Sequence, residues 1–219
     1  MQAAKVAIIG IRGKYGLWLE RFFADPILHA LVTSVFGSDV GTPETNRDVA
    51  SRADVVIVAV PLRMTVAVIR EIAPALKKGQ LIMDVTSLKG GPVEAMLESL
   101  AEVRGLHPMC APPRIGSWSG QTVADCPMRL TSWRAWSDEV LRRSGARLKL
   151  CTPEQHDHHM AIVQGLVHAT ELVMASVIRR MRMDVRESLA YASPIYRIAL
   201  SLIGRILKQK PELYAGIQM

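Results

Sequence analysis

Histidine titrates nearest neutrality, so a search for a proton acceptor starts with the histidines. His107 stands in GLHPMCAPPRIG, where an apolar run meets a segment dense in proline and glycine. It is either a solvated surface histidine or a general base held on a stiff loop, and its neighbours in sequence do not separate the two. A second group, HDHH at His156 to His159, has the composition of a metal cluster, and His156 and His159 can share a helix face. No carboxylate or cysteine set accompanies it, so no metal is expected. His168 falls in an apolar helical run, where a core histidine is a serious competitor to any functional reading. Cys110, Cys126 and Cys151 are scattered and odd in number, which argues against a disulfide framework. They fit a reducing cytoplasm.

The other candidate chemistry is nucleotide binding. GIRGKYG, Gly10 to Gly16, follows an apolar β-branched run. A dinucleotide loop has the form G-x-G-x-x-G, because the backbone must turn tightly and approach a pyrophosphate at a helix N-terminus. Gly13 and Gly16 take the second and third places; Ile11 takes the first, with Gly10 just before it. Gly10, Arg12, Gly13, Tyr15 and Gly16 are thus the candidate cofactor loop. Asp39 lies roughly twenty residues further on, where an acid would bond the adenosine ribose. With no arginine next to it in sequence, it favours NAD over NADP.

These residues need elements to position them. Lys5 to Gly10, Val32 to Gly37, Asp54 to Val60 and Gln80 to Val85 are short continuous apolar runs, the pattern of strands buried on both faces. Helical patterns over Tyr15 to Ala24, Arg63 to Leu76 and Val93 to Glu102 separate them. That alternation predicts βαβ units and a parallel sheet. Val103 to Leu106, Cys126 to Thr131 and Arg147 to Cys151 are further strand candidates, with a helix over Trp133 to Arg143. Trp118, Trp133 and Trp136 read as packing residues. From CTPEQHDHH onward the pattern is helical: Thr152 suits an N-cap, Pro153 the first helical position and Gln155 a capping box. A second helix is expected through RESLAYASPIYRIALSLIGRILKQ, kinked or broken at Pro194. An α/β domain over residues 1–151 and a helical one over 152–219 follow. The helices AIVQGLVHATELVMASVI and IALSLIGRIL are apolar on more than one face, which predicts a homodimer through the helical domain.

The chain has 219 residues, a net charge of +7 and 49% hydrophobic residues, enough for a buried core. Its basic residues are dispersed and lack interleaved aromatics, so nucleic acid is not expected. Proline, histidine or glutamate interrupts each long apolar run, so no membrane span is expected. MQAAKVAIIG shows no secretion-signal pattern.

The stretches DVTSLKGGPVEAML, GLHPM, EQHDHHMAIVQGLVHAT, ASPIYRIALSLIGRIL and PELYAGIQM, in this order and spread over nearly the whole chain, resemble prephenate dehydrogenases. The closest likeness is to the dehydrogenase portion of the bifunctional chorismate mutase–prephenate dehydrogenases. The resemblance implies a Rossmann-type α/β domain followed by an all-helical dimerisation domain. It also implies NAD-dependent oxidative decarboxylation of prephenate to 4-hydroxyphenylpyruvate, on the route to tyrosine. It makes His107 the catalytic histidine, and Ser87 and Lys89 the active-site serine and lysine. The serine would orient the histidine and the substrate hydroxyl; the lysine would add a positive field. N-terminal capping of the following helix is the competing role for Ser87. His168 matches a histidine facing the cleft, and Arg205 an arginine that clamps a substrate carboxylate through its planar fork. The small-molecule partner is accordingly a dicarboxylate.

This sequence departs from the family at Ile11 and in CAPP after HPM, where Cys110, Ala111 and Pro113 alter the expected pocket floor. Family members commonly continue past the point where Met219 ends this chain. No chorismate mutase segment precedes the loop, so a stand-alone dehydrogenase is expected. The alternatives are the same chemistry on arogenate or 4-amino-4-deoxyprephenate, and a non-catalytic dinucleotide-binding regulatory protein.

Overall fold

The computed structural model describes residues 2–112 and 117–208. Pro113 and the PELYAGIQM stretch, both singled out in the sequence, lie outside the described residues. The chain divides into two compact units, Met1–Asp157 and His158–Met219.

The first unit is a sheet with helices on both faces. In chain order its elements are β1 (Ala4–Ile9), α1 (Lys14–Phe23), β2 (Val32–Ser38), α2 (Asn46–Arg52), β3 (Val55–Val58) and α3 (Leu62–Ile72). They continue as β4 (Leu81–Asp84), α4 (Gly90–Leu97), β5 (Glu102–Pro108), β6 (Thr122–Arg129), α5 (Arg134–Arg143), β7 (Arg147–Leu150) and the first turns of α6 (Pro153–Met160). The strand order is β2-β1-β3-β4-β5-β6-β7.

Alternation along each strand explains the two-sided burial. Val6, Ile8, Val55 and Ile57 point into one core with Trp18, Phe22, Trp118 and Trp136. Ala7, Ile9, Val56 and Val58 point into the other with Ile69, Ile72 and Met96. The tryptophans are packing residues, as their contexts suggested: Trp118 stacks on Trp18 with ring centroids 4.8 Å apart.

The expected parallel sheet carries one antiparallel pairing. β1 to β5 run parallel, but β6 is antiparallel to β5. Among the described residues no helix lies between β5 and β6, and a strand that returns without a crossover helix runs antiparallel to its predecessor. β6 also starts at Thr122, ahead of the expected Cys126, because Val123 and Ala124 pair with Pro108 and His107.

In the second unit a π-helical stretch (Ala161–Leu166) leads from α6 into α7 (Val167–Arg180), followed by α8 (Val185–Ser188) and α9 (Pro194–Leu207). The kink or break expected at Pro194 is a break, with α8 ending at Ser188 and α9 starting at Pro194. Ser193 caps α9, accepting from the Tyr196 N–H, and Pro194 takes the first helical position. Thr152 and Gln155 form the expected reciprocal cap at the start of α6, with Thr152 N–H donating to Gln155 Oε1 at 3.0 Å.

The expectation that no run could span a bilayer is also corrected. Pro153–Arg180 is one continuous helical stretch of 28 residues that contains an 18-residue window of mean hydropathy 1.6, long and apolar enough by length and composition. Proline and three of the histidines crowd its first two turns; from Met160 to Ile178 the run is mostly apolar, and Glu171 is its one acidic or basic residue apart from His168. Its apolar side chains are exposed: Ile162, Val163, Leu166, Val173 and Val177 are each about half or more accessible.

Candidate active site

Gly10 ends the first strand with φ of +90°, a conformation that side chains oppose. A Cβ there would meet the Ala59 carbonyl oxygen at 2.7 Å. At Gly16 a Cβ would fall 2.1 Å from the Gly10 oxygen, so only glycine lets the first turn of α1 ride on the loop. Gly13 is the N-cap of α1 and contributes no side-chain cap. Ile11, in the place of the missing loop glycine, packs over Gly37 of β2, where a Cβ would come within 2.9 Å of the isoleucine Cβ. A glycine in the next strand thus makes room for the extra side chain.

Asp39 follows β2 at the same edge. Its Oδ2 accepts from the Arg12 N–H at 2.9 Å and its Oδ1 from the Val40 N–H at 2.7 Å. The Arg12 guanidinium donates to the Val40 carbonyl at 3.4 Å. The reading that no arginine stands beside this acid is therefore corrected: the fold brings Arg12 to it from 27 residues away. Tyr15 turns elsewhere and donates to the Cys110 carbonyl at 2.8 Å, tying α1 to the segment after β5. Burial pushes its phenol well above the ordinary range, and the neighbouring Cys110 adds to this.

Along the same sheet edge, β4 and β5 end at the second cluster. His107 is not on a loop, as its proline-rich context suggested, but is the penultimate residue of β5, paired with Ala124 and only 3% exposed. The strand runs two residues past its expected end because β6 supplies the ladder. His107 Nδ1 lies 2.9 Å from His156 Nε2. His156, 2% exposed, places its Nδ1 2.6 Å from Asp157 Oδ1. Asp157 also accepts from the backbone N–H groups of Lys89 and Gly90, each at 2.8 Å. It is therefore Asp157, and not Ser87, that caps α4. Gly90 permits the approach, since a Cβ there would be 3.1 Å from the Asp157 oxygen.

Lys89 is fully buried. Its Nζ pairs with Asp84 at the end of β4 and donates to the Leu106 carbonyl at 2.7 Å. Its stem crosses β5 over Gly105, where a Cβ would stand 3.2 Å from Lys89 Cδ. The lysine is thus a strut beneath His107 as well as a source of positive field. Ser87 is half-buried in the turn between β4 and α4.

The electrostatics follow from this packing. Burial, then the charge of Lys89, then His156 push the His107 pKa down to about 3, while Asp157 acts in the opposite direction. Burial disfavours the Asp157 carboxylate, but hydrogen bonds from His156, Gly90 and Lys89 outweigh it and hold the group below its ordinary value. Both nitrogens of His156 are engaged, which fits its place in a side-chain chain rather than on a metal. Among the described residues no group of three or more His, Cys, Asp or Glu is arranged to hold a metal ion.

The first unit therefore brings together His107, Lys89 and the glycine-loop edge. His168, on α7, and Arg205, on the exposed side of α9, belong to the second unit. Burial lowers the His168 pKa. Sequence reasoning missed His156 and Asp157 as partners of His107. It also missed the buried Arg104, which bonds Asp125 through two nitrogens and reaches Ser137 and Asp138, fastening β5 to β6 and α5. The signal for the first pair was present in HDHH immediately after a strong N-cap; the signal for Arg104 was only a charge inside an apolar strand.

The profile of the prephenate dehydrogenase nucleotide-binding domain matches residues 37–150, and that of the prephenate dehydrogenase dimerization domain matches 152–219. This chain belongs to the prephenate dehydrogenase family. The probable arogenate/prephenate dehydrogenase of Methanocaldococcus jannaschii is 37% identical over 98% of this chain and 51% of its own length. The T-protein of Haemophilus influenzae is 33% identical over 98% of this chain and 56% of its own. The chain thus spans about half the length of these curated relatives. Among solved structures, prephenate dehydrogenase from A. aeolicus in complex with hydroxyphenyl propionate and NAD+ superposes with a TM-score of 0.79. That match covers 99% of this chain and 82% of the other at 18% identity, a likeness of fold. The prephenate dehydrogenase match of the first unit starts at Gly37, so the altered glycine loop lies ahead of it.

Proposed function

We propose that this chain is an NAD-dependent dehydrogenase that oxidises and decarboxylates prephenate to 4-hydroxyphenylpyruvate in tyrosine biosynthesis. The observation that carries this reading is the buried His107, fixed at the same carboxyl edge of the sheet as the glycine loop, in a member of this family. The loop suits the cofactor. Gly13 and Gly16 keep the start of α1 clear of side chains for a pyrophosphate, and the Asp39 carboxylate is available to the ribose hydroxyls. When bound, NAD accepts the hydride from the substrate's C4.

The chain's own residues handle the proton and the charge. As the hydride leaves C4, His107 accepts the proton of the C4 hydroxyl, so that a carbonyl develops there. The bond from C1 to its carboxylate breaks, carbon dioxide departs, and the electron pair it leaves enters the ring. His107 returns the proton to the ring oxygen as the phenol forms, so the net products are 4-hydroxyphenylpyruvate, carbon dioxide and NADH. Ser87 orients the hydroxyl, and Lys89 supplies positive field from below. His168 and Arg205 bind the substrate from the helical unit, the arginine fork on a carboxylate.

The exposed apolar residues of α7 and α9 support a homodimer, in which a second copy covers Val173, Val177, Ile195 and Ile198. Substrate and cofactor are both water-soluble, which suits a cytoplasmic enzyme. The deciding experiment is turnover of prephenate, arogenate and 4-amino-4-deoxyprephenate with NAD and with NADP, followed by reduced-nicotinamide absorbance. The highest kcat/KM is expected for prephenate with NAD. An amino analogue turned over faster would move the substrate assignment, and no turnover with any pair would favour a non-catalytic binding protein.

A further inference from the structure

We infer that Asp157 and His156 form a positioning relay that sets the tautomer of His107 and shares the proton it accepts. The inference rests on the proposed role of His107 as proton acceptor, and it adds two residues that the proposed reaction does not use.

The hydrogen-bond inventory fixes the direction of the chain. An ionised carboxylate only accepts, so across the 2.6 Å contact His156 Nδ1–H donates to Asp157. A neutral imidazole has one donor and one acceptor, so His156 Nε2 is then the acceptor. It faces His107 Nδ1 at 2.9 Å, and His107 must therefore carry its proton on Nδ1. The lone pair of His107 is left on Nε2, the form a proton acceptor needs. Asp157 is held in turn by the backbone N–H groups of Lys89 and Gly90, so the whole chain is anchored to the start of α4.

The same arrangement addresses an electrostatic difficulty. A buried imidazole above Lys89 is a poor place for a positive charge. Among the described residues the charged and titratable groups that act on it are Lys89 at the head of α4, with its partner Asp84 at the end of β4, and His156 and Asp157 on α6. Asp84 is already paired with Lys89. Asp157 is the carboxylate that remains to offset a protonated His107, and it acts through His156. When the substrate O–H bond breaks and an N–H bond forms at Nε2, the imidazolium donates from Nδ1 to His156, and the charge spreads toward Asp157. When the proton returns to the ring oxygen, the relay relaxes to its starting state.

The test is nitrogen NMR of the full chain with 15N-labelled histidine, with His107→Asn used to assign the His107 signals, read beside steady-state kinetics. The wild-type protein should show His107 as the Nδ1–H tautomer. In Asp157→Asn the side-chain amide can donate to His156 Nδ1, moving the His156 proton to Nε2 and turning His107 to the Nε2–H form. Its kcat should drop by roughly 10²–10⁴-fold with the KM for NAD little changed. Any acid limb in the residual activity should move to lower pH, since a negative charge that favours protonation has gone.

His156→Leu leaves the Asp157 cap on α4 intact and should lose activity to a similar degree. His156→Gln keeps an acceptor for His107 and should lose less. A wild-type His107 in the Nε2–H form would overturn the relay, as would turnover within about threefold of wild type in both Asp157→Asn and His156→Leu. The tautomer measurement needs no substrate. The expected tautomer and its switch, in a protein that turns over none of the tested substrates, would support the relay and overturn the substrate assignment instead.

Discussion

Lys89 distinguishes a structural cation from a catalytic one, because its burial makes a definite demand. Its Nζ is inaccessible to water and held by Asp84 and the Leu106 carbonyl. Replacing it with methionine keeps the stem over Gly105 but leaves the Asp84 carboxylate buried without its cation. That carboxylate is poorly placed to bear the loss: among the described residues its Oδ1 has no hydrogen-bond partner, and Oδ2 would keep only the Thr86 N–H. Breaking one side of a buried pair costs about 3–5 kcal/mol. For a unit of this size that corresponds to a Tm lower by roughly 6–20 °C. Adding Asp84→Asn to Lys89→Met removes the stranded charge and should recover much of the loss. Loss of the Lys89 charge should also let the His107 pKa rise, moving any acid limb of kcat to higher pH. Thermal unfolding by circular dichroism, with pH–rate profiles of the same proteins, reads both effects. A Tm within about 2 °C of wild type for Lys89→Met, or a double variant no better than the single, would refute the strut.

Three further outcomes follow from the geometry. Asp39→Ala should raise the KM for NAD roughly tenfold, the worth of a hydrogen bond to a charged group. It should also narrow the preference for NAD over NADP, because Arg12 stays at the same loop to meet a 2′-phosphate; steady-state kinetics with both cofactors check this. The buried, neutral His107 should make the fold acid-sensitive. Its folded pKa of about 3 lies below the ordinary 6.5, so the unfolded chain takes up a proton in that window that the folded chain refuses. Stability from this group is fully present above about pH 6.5 and is lost by about 1.4 kcal/mol per unit as pH falls toward 3; urea midpoints between about pH 5 and 7 should show that slope in the wild type and not in His107→Gln. Finally, Val173→Glu with Val177→Glu should convert a dimer to a monomer in sedimentation without loss of helix content, since both side chains are already exposed in the single chain.

The fold was legible where one local pattern decided it. Continuous runs such as VVIV can be buried only between two helix layers, and the glycine spacing after β1 marks a close approach of backbone whether or not its first glycine is present. The direction of β6 was not legible, since strand patterning is the same either way and only the missing crossover helix determines it. The apolar length of Pro153–Arg180 was obscured because proline and histidine were read as interruptions. The proline and three of the four histidines fall in the first two turns, where proline is tolerated, and leave a mostly apolar run behind them.

The site divides along the same line. His107 could be singled out because it lies in a short recognisable stretch, and its loop-like context gave the wrong element, since the ladder that holds it comes from β6, beyond the proline-rich segment. Arg12 and Asp39 are 27 residues apart, and His107 and His156 are 49 apart. No periodicity connects either pair; what connects them is that β1, β2, β4 and β5 all end at one edge of the sheet and α6 returns to it. HDHH shows why residue type alone misleads. Histidines at helical spacing suggest a metal, yet His156 has one nitrogen on an imidazole and the other on a carboxylate, and that carboxylate caps the helix that begins beside the buried lysine. A side chain with both nitrogens so engaged can pass on a charge but cannot also bind a cation, and its partners, more than its identity, make it part of the proposed proton-handling site.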